Sequence, residues 1–223
     1  MSQAPDVTEL NGTYYLYYSV STFGSQTSAI GVAVSASLDV GTWNDLGSVV
    51  ASDRSKPYNA IDGNLISISV SDDGNDGNNN KSQILLSFGS FWNGLYQIPL
   101  TFPPTAIHPG AVANQVSYDR ADSAQEAPVV FKHGEYYYLF YSKGTCCGYD
   151  RTKPPSGKEY RIAVCRSTVP TGEFVDKAGV PCVNGGGTVI LRSHDWVYGP
   201  GGQGVYRDVN YGPVSFSLIS TLS

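Results

Sequence analysis

The stretch that decides the fold is residues 125–142, with the sequence QEAPVVFKHGEYYYLFYS. It begins with a carboxylate and a proline, continues as a short apolar run, turns at His133-Gly134 and ends as an aromatic run. A turn dipeptide between two runs of β-prone residues is typical of a β-hairpin. The stretch therefore predicts two antiparallel strands joined by a tight turn.

The same design occurs earlier in the chain. Ala4-Pro5-Asp6-Val7 is followed by a turn at Asn11-Gly12 and by an aromatic run that ends at Ser19. Fifteen residues separate Ala4 from Ser19, as fifteen separate Ala127 from Ser142. Because self-similarity at a fixed spacing is the signature of repeat architectures, the chain is predicted to be a repeat protein.

The repeats open at Ala4, Asp62 and Ala127, at a period of roughly sixty residues, with three or four short β-prone runs in each. This pattern is typical of an all-β propeller, in which each blade is a small antiparallel sheet. A β-sandwich also uses many short strands and is the competing architecture. A fourth repeat is predicted to begin with Thr188–Leu191, and residues 71–81, rich in Asp, Asn and Gly, are predicted to form a loop. The predicted strands are residues 7–10, 14–19, 29–35, 65–70, 83–88, 94–100, 161–167 and the two halves of the hairpin at 125–142.

Composition and charge narrow the possible partners. The chain has 223 residues, among them 16 Tyr, 25 Gly and 13 Pro, and a net charge of -5. Without a Lys or Arg cluster, nucleic acid and anionic membranes are disfavoured as partners. No apolar run is long enough to cross a bilayer.

The chain has four cysteines, at positions 146, 147, 165 and 182. A zinc site is disfavoured, because there is no Cys-x-x-Cys motif and no histidine pair at metal-ligand spacing. Cys165 and Cys182 are candidates for a disulfide, whereas Cys146 and Cys147 either bridge to each other or remain thiols. Sequons at Asn11 and Asn80 favour a secreted protein. No signal peptide follows Met1, so either the start is not the native one or the protein stays inside the cell.

Three carboxylates lie at or near the openings of the repeats: Asp6, Asp62 and Glu126. In a propeller the equivalent ends of the innermost strands converge on one axis, so these side chains are predicted to meet in one pocket. Converging carboxylates raise one another's pKa, which suits a protonated acid beside an ionised base. Such a set is what glycoside hydrolysis requires.

Each of these residues also has a structural explanation. Asp62 followed by glycine is an ordinary turn sequence, Asp6 after a proline can tie down a strand end, and Glu126 can be a solvated loop residue. The aromatic residues Phe23 and Phe91-Trp92 either stack on sugar rings or pack between blades.

Several motifs, in the same order, resemble the fungal endo-arabinanases of glycoside hydrolase family 43. The resemblance extends from residue 4 to about residue 214. The motifs are APDV at 4–7, STFGS at 21–25, YNAIDGN at 58–64, FGSFW at 88–92, CCGYD at 146–150 and GPGGQG at 199–204.

The resemblance implies a five-bladed β-propeller that cleaves α-1,5-linked arabinan, a side chain of pectin, with inversion. By position, Glu126 matches the general acid. Asp62 matches the carboxylate that orients the substrate and tunes the pKa of the acid; an ionised Asp62 would hold the proton on Glu126. The expected substrate-binding residues are Phe23, Asp6, Asn59, Phe91 and Trp92.

The sequence departs from the family at both ends. The family's general base is an aspartate in the first blade, upstream of the Ala-Pro-Asp motif, so Asp6 is not that residue, and Gln3 replaces a usual tryptophan. Near residue 214 the family continues into an aromatic strand with a histidine for a central metal ion, which is not found here. We therefore expect residues 1–223 to form a single catalytic domain, an incomplete propeller without its first blade and with a partial last one. Its turnover is expected to be impaired, because the general base is absent.

The resemblance leaves three functions to compare. The first is endo-hydrolysis of arabinan, the second is binding of arabino-oligosaccharides without catalysis, and the third is a β-xylosidase or α-arabinofuranosidase of the same family. It also implies a secreted monomer whose partner is arabinan or an arabino-oligosaccharide. No cofactor is expected to be required, although a central calcium ion occurs in the family.

Overall fold

The computed structural model describes residues 2–70 and 81–221. The loop predicted at 71–81 lies outside the described residues except for Lys81, which begins a strand. Within these ranges the chain forms β-strands and one short 3-10 helix, Cys182–Asn184. The strands are β1 (Ser2–Leu10), β2 (Thr13–Val20), β3 (Ser28–Ser35), β4 (Asn44–Ser52), β5 (Asn64–Val70), β6 (Lys81–Phe88), β7 (Leu95–Leu100), β8 (Asn114–Ser117), β9 (Gln125–His133), β10 (Tyr136–Lys143), β11 (Arg161–Ser167), β12 (Thr188–Leu191), β13 (Val197–Asp208) and β14 (Gly212–Thr221).

The strands are arranged as successive blades. The orders β1-β2-β3-β4, β5-β6-β7-β8 and β9-β10-β11-β12 each form a four-stranded antiparallel sheet, and β13-β14 form a two-stranded one. The first strand of each sheet contacts the first strand of the next, in the order β1, β5, β9 and β13. The inner strands thus gather side by side, and the predicted repeat openings are the starts of these strands.

The inner hairpins are those the sequence predicts. In the third blade Val130 is paired with Leu139 across β9 and β10, and in the first Val7 is paired with Leu16 across β1 and β2. In both hairpins the register shifts at the Ala-Pro dipeptide. The alanines Ala4 and Ala127 have φ of 50° and 53°, and proline offers no N–H to the ladder, so the strand bulges there.

The blades pack face to face through apolar side chains. One cluster joins the first and second blades, and a second cluster joins the second and third. Along β6, Leu86 and Phe88 belong to the first cluster and Leu85 to the second, because successive side chains of a strand point to opposite faces. This blade is therefore covered on both faces, which explains why β6 has three successive buried apolar residues, Ile84, Leu85 and Leu86.

Two features of the fold differ from the prediction. Thr188–Leu191 pairs with β11 as the outermost strand of the third blade, so it does not open the fourth. The outer strands β4 and β8 and the two strands of the fourth blade, β13 and β14, were not predicted as strands. β4 is mostly exposed and β8 has only four residues, so the alternation of apolar and polar residues that marks a strand is weak in both.

The structure settles the pairing of the cysteines. Cys165 and Cys182, both buried, form a disulfide that ties β11 to the 3-10 helix. Cys146 and Cys147 are also bonded to each other. In the described part of the chain there is no helix with the length and apolar character needed to cross a bilayer.

Candidate active site

A cavity of about 1020 Å³ opens at the end of the blades where the inner strands begin. Each inner strand starts there, and each second strand runs back to the same end before it connects to the third. The cavity wall includes every site residue that the sequence predicts: Asp6, Phe23, Asn59, Asp62, Phe91, Trp92 and Glu126.

Asp62 lies just before β5 in a left-handed backbone conformation, with φ of 59°. Its N–H donates to Oγ of the fully buried Ser19 at 3.0 Å, which fixes this conformation. Ala4 and Ala127, at the corresponding points of the first and third blades, are left-handed too. Asp62 and Gly63 lie in an irregular segment before β5, and the left-handed conformation of Asp62 directs its carboxylate to the cavity.

The carboxylate of Asp62 forms a hydrogen bond with the next blade. Its Oδ2 accepts a hydrogen bond of 3.0 Å from the N–H of Ala127, the residue after Glu126. Burial, and after it the negative charge of Glu126, raise the pKa of Asp62 to about 7, against the opposing effect of the Ala127 hydrogen bond. The sequence-based hypothesis had an ionised Asp62 holding the proton on Glu126. The raised pKa of Asp62 differs from this hypothesis, because the carboxyl of Asp62 is still partly protonated near neutral pH.

Glu126 is held by two hydroxyl groups. Oγ of Ser90 donates to its Oε2 at 2.8 Å, and the hydroxyl of Tyr160 donates to its Oε1 at 2.6 Å. Burial, followed by the nearby charge of Glu126, raises the pKa of Tyr160 well above its ordinary value. Tyr160 therefore keeps its proton and remains a donor, and Glu126 has little freedom to rotate.

The loop between β6 and β7 carries Ser90 and two aromatic side chains to the cavity. Ser90 pairs with Glu126 as an isolated β-bridge, and the N–H of Phe91 donates to the carbonyl of Gln125 at 2.8 Å. Phe91 and Trp92 are both left-handed, with φ of 55° and 42°. Their side chains remain 38% and 37% exposed, so packing between the blades leaves part of each aromatic ring accessible.

A glutamine from the fourth blade supports the strand that carries Glu126. Nε2 of the buried Gln203 donates to the carbonyl of Ala127 at 2.6 Å, and its Oε1 accepts from Ser142 at 2.8 Å. Ala127 is therefore held on both sides, by Asp62 at its N–H and by Gln203 at its carbonyl. Gly201, two residues before Gln203, lets the ring of Tyr160 pack directly against this strand, since a Cβ at Gly201 would lie 2.0 Å from that ring.

Asp6 has a structural role in addition to its place in the cavity wall. Its Oδ1 accepts from Nδ2 of Asn64 at 3.1 Å and its Oδ2 from the N–H of Leu65 at 3.3 Å. Asn64 makes the same kind of contact between the second and third blades: its Oδ1 accepts a hydrogen bond from the N–H of Val130 at 3.1 Å. Burial raises the pKa of Asp6, while its two hydrogen bonds oppose that rise. The contacts favour the structural alternative, a strand tie, and the substrate-binding role of Asp6 stays a prediction.

The remaining predicted substrate-binding residues differ in exposure. Phe23, in the β2–β3 connection, is 98% exposed. Asn59 is buried, and its Oδ1 has no hydrogen-bond partner among the described residues. Their roles toward a substrate stay predictions, although both residues lie in the cavity wall.

Sequence reasoning missed three polar residues of the site: Ser90, Tyr160 and Gln203. Ser90 and Gln203 lie inside motifs that had been singled out, at 88–92 and 199–204, but neither has an ionisable side chain. Tyr160 lies at the end of a long connection and is one of 16 tyrosines, so nothing in the sequence distinguishes it.

No three His, Cys, Asp or Glu side chains in residues 2–70 and 81–221 are grouped so that they could hold a metal ion. The central calcium ion that the resemblance implies stays a prediction, and no step is derived through it.

The geometry of this site can be compared with known proteins. The model of the glycosyl hydrolases family 43 matches residues 1–214. The chain belongs to this family. It is 54% identical over 215 residues to a probable arabinan endo-1,5-alpha-L-arabinosidase A of Emericella nidulans, a match that covers 96% of this chain and 63% of that protein. The chain thus spans less than two thirds of the length of this relative.

Solved structures of the family have the same fold. The alpha-L-arabinanase of Cellvibrio cellulosa superimposes with a TM-score of 0.81 at 32% identity, covering 97% of this chain and 68% of that one. The same enzyme complexed with arabinohexaose gives a TM-score of 0.80 at 30% identity, with 98% and 73% coverage. These neighbours are five-bladed β-propellers, which confirms the predicted fold class.

Proposed function

We propose that the protein is an endo-acting hydrolase of α-1,5-linked arabinan that works by an inverting acid/base mechanism. The observation that carries the proposal is the meeting of Asp62 and Glu126, from two blades, in one cavity. The substrate class is taken from the relatives, one of them named as an arabinan endo-1,5-alpha-L-arabinosidase and one complexed with arabinohexaose.

Glu126 is the general acid in this proposal. It donates a proton to the glycosidic oxygen as the bond to the leaving sugar breaks. The hydroxyls of Ser90 and Tyr160, one on each carboxyl oxygen, hold the group in a fixed direction. A fixed direction matters because proton transfer requires the donor to lie within hydrogen-bond reach of the oxygen.

Asp62 keeps a proton available at neutral pH. Two neighbouring carboxyls titrate as a pair, and the pKa of about 7 at Asp62 means that the pair still holds a proton close to neutrality. When a sugar enters, that proton can be delivered through Glu126 while Asp62 takes up the negative charge. Asp62 thus tunes the acid and, from its place in the wall, orients the substrate.

The general base is not assigned to a described residue. The third carboxylate in the described cavity wall, Asp6, already accepts hydrogen bonds on both oxygens, from Asn64 and Leu65. An inverting enzyme requires a base about 6.5–9.5 Å from the acid, with a water between them. We therefore propose that these 223 residues alone turn arabinan over slowly.

A second candidate is a propeller that binds arabino-oligosaccharides without cleaving them. The unassigned base favours it, because Phe23, Phe91 and Trp92 still offer aromatic faces to a sugar. We also propose that the protein is secreted, since the two disulfides are typical of extracellular proteins.

The test compares this protein with the alpha-L-arabinanase of Cellvibrio cellulosa as a reference enzyme. Both are incubated with linear arabinan and with xylan, the products are sized, and binding of arabinohexaose is measured by calorimetry. The proposal predicts that this protein binds arabinohexaose and releases arabino-oligomers, more slowly than the reference enzyme. Monomers alone would indicate an α-arabinofuranosidase, xylose would indicate a β-xylosidase, and binding without products would favour the second candidate.

A further inference from the structure

The same connection in three successive blades supplies an apolar group to the cavity. In each blade this connection joins the second strand to the third. In the first blade it carries Phe23, and in the second blade it carries Phe91 and Trp92. In the third blade it carries neither Phe nor Trp at the cavity. The residues that line the cavity from there include the disulfide-bonded Cys146 and Cys147.

The loop that presents this disulfide is anchored at its base. The N–H of Thr145 donates to the carbonyl of Lys158 at 2.9 Å, and Thr145 pairs with Glu159 as a β-bridge. Tyr149 donates its hydroxyl to the carbonyl of Thr145, and its ring packs edge-on against Tyr198 at 4.9 Å. The disulfide is therefore held in place from both ends of the loop.

The anchoring also fixes the disulfide relative to the acid. The N–H of Tyr160 donates to the hydroxyl of Tyr149 at 3.2 Å, and the hydroxyl of Tyr160 donates to Glu126. One tyrosine thus connects the loop of the disulfide to the carboxyl of the general acid.

A bond between neighbouring cysteines closes a small ring that includes the backbone. Such a ring offers sulfur and methylene groups, has no hydrogen-bond donor on its side chains, and has no side-chain rotation left to lose on binding. Sulfur is polarisable and makes favourable dispersion contacts. These are the properties that let an aromatic face pack against the C–H surface of a sugar.

We propose that the Cys146–Cys147 ring is a sugar-contacting platform, the counterpart in the third blade of the aromatic side chains in the first two. Its ligand is the C–H face of one sugar unit of the chain that occupies the cavity, on the side of Tyr160 and Glu126. The inference rests on the proposed function, because it takes the cavity to be a carbohydrate site.

The test compares two double variants of the protein. Cys146→Ser with Cys147→Ser opens the ring and makes it polar, whereas Cys165→Ser with Cys182→Ser removes the buried disulfide away from the cavity. We expect the first variant to bind arabinohexaose about tenfold more weakly, the loss that a modest apolar contact area gives. Its KM should rise by more than its kcat falls, because a platform contacts ground and transition states alike. The second variant should lose thermal stability and keep its affinity.

A second measurement uses the wild-type protein and so does not depend on the folding of the variants. The wild-type protein is treated with a mild phosphine, the freed thiols are alkylated, and mass spectrometry identifies the labelled residues. Cys147 is exposed and Cys165 and Cys182 are buried, so Cys146 and Cys147 should be labelled first, and affinity should fall in step with that labelling.

The outcomes separate the inference from the function it rests on. Wild-type protein that binds arabinohexaose with an affinity unchanged by opening the ring would overturn the inference and leave the proposed function intact. Wild-type protein that neither binds arabinohexaose nor cleaves arabinan would overturn the proposed function and the inference with it.

Discussion

The backbone N–H of Ala127 donates a hydrogen bond of 3.0 Å to Oδ2 of Asp62. The bond joins the beginnings of two neighbouring inner strands, so the carboxylate before β5 lies against the residue that follows Glu126. Residues 62 and 126 are far apart in the chain, yet burial and, after it, the charge of Glu126 raise the pKa of Asp62. The proposed chemistry depends on this contact.

Replacing Glu126 with glutamine should abolish most turnover and leave binding. The amide has nearly the same shape and still accepts the hydroxyl of Ser90, but it cannot donate a proton as an acid. We expect kcat on linear arabinan to fall by about a hundredfold to ten-thousandfold, the usual contribution of general acid catalysis. Glu135→Gln, at the exposed β9–β10 turn, is the matched control and should behave as wild type. A Glu126→Gln enzyme with normal kcat would remove Glu126 from the mechanism.

Replacing Tyr160 with phenylalanine removes a single hydroxyl and keeps the buried ring. The lost hydrogen bond to Oε1 of Glu126, 2.6 Å long, joins a hydroxyl to a carboxyl and is worth about 1.5–3 kcal/mol. We expect kcat to fall by about tenfold to a hundredfold, with a shift in the pH–rate profile and little change in KM. Tyr138→Phe, on β10, is the control. A fall in stability alone, with the pH profile unmoved, would make Tyr160 a purely structural residue.

Variants of Asp6 can show whether this residue ties two strands together or binds the substrate. Asp6→Ala leaves Nδ2 of Asn64 and the N–H of Leu65 without their acceptor, which should lower the free energy of unfolding by about 1–3 kcal/mol. Asp6→Asn keeps one acceptor oxygen and should recover part of that loss. Denaturant unfolding and KM are measured on the same samples. A raised KM with unchanged stability would instead support the substrate-binding role predicted from the sequence.

Asp62 should make the folded state less stable as the pH rises. The pKa of Asp62 is about 7 in the folded protein and 3.8 for an ordinary aspartate, so between these values the folded state binds the extra proton. The stability that this proton contributes is present below about pH 4 and is lost as the pH rises to 7. The melting temperature of wild type minus that of Asp62→Asn should therefore fall over this range. Asp39→Asn, an exposed change, should show no such trend, and a flat difference for Asp62→Asn would contradict its raised pKa.

The local features of the fold could be predicted from the sequence. Turn dipeptides such as His133-Gly134 and the runs of tyrosine beside them are short-range signals, and both hairpins formed where they indicated. The outer strands β4 and β8 could not be predicted, because β4 is mostly exposed and β8 has only four residues, too few to show an alternation of apolar and polar positions. The resemblance placed Asp62 and Glu126 at the cavity, but the partners Ser90, Tyr160 and Gln203 depend on contacts between blades that no local pattern records.

The coupling of Asp62 to Glu126 can be measured directly by carbon-13 NMR of the aspartate carboxyl groups as a function of pH. The account predicts a resonance that titrates near pH 7, is absent from Asp62→Asn, and moves to lower pH in Glu126→Gln, where the neighbouring charge is gone. An Asp62 that titrates near its ordinary value of 3.8, or one whose midpoint is the same in Glu126→Gln, would contradict the pairing of the two carboxyls.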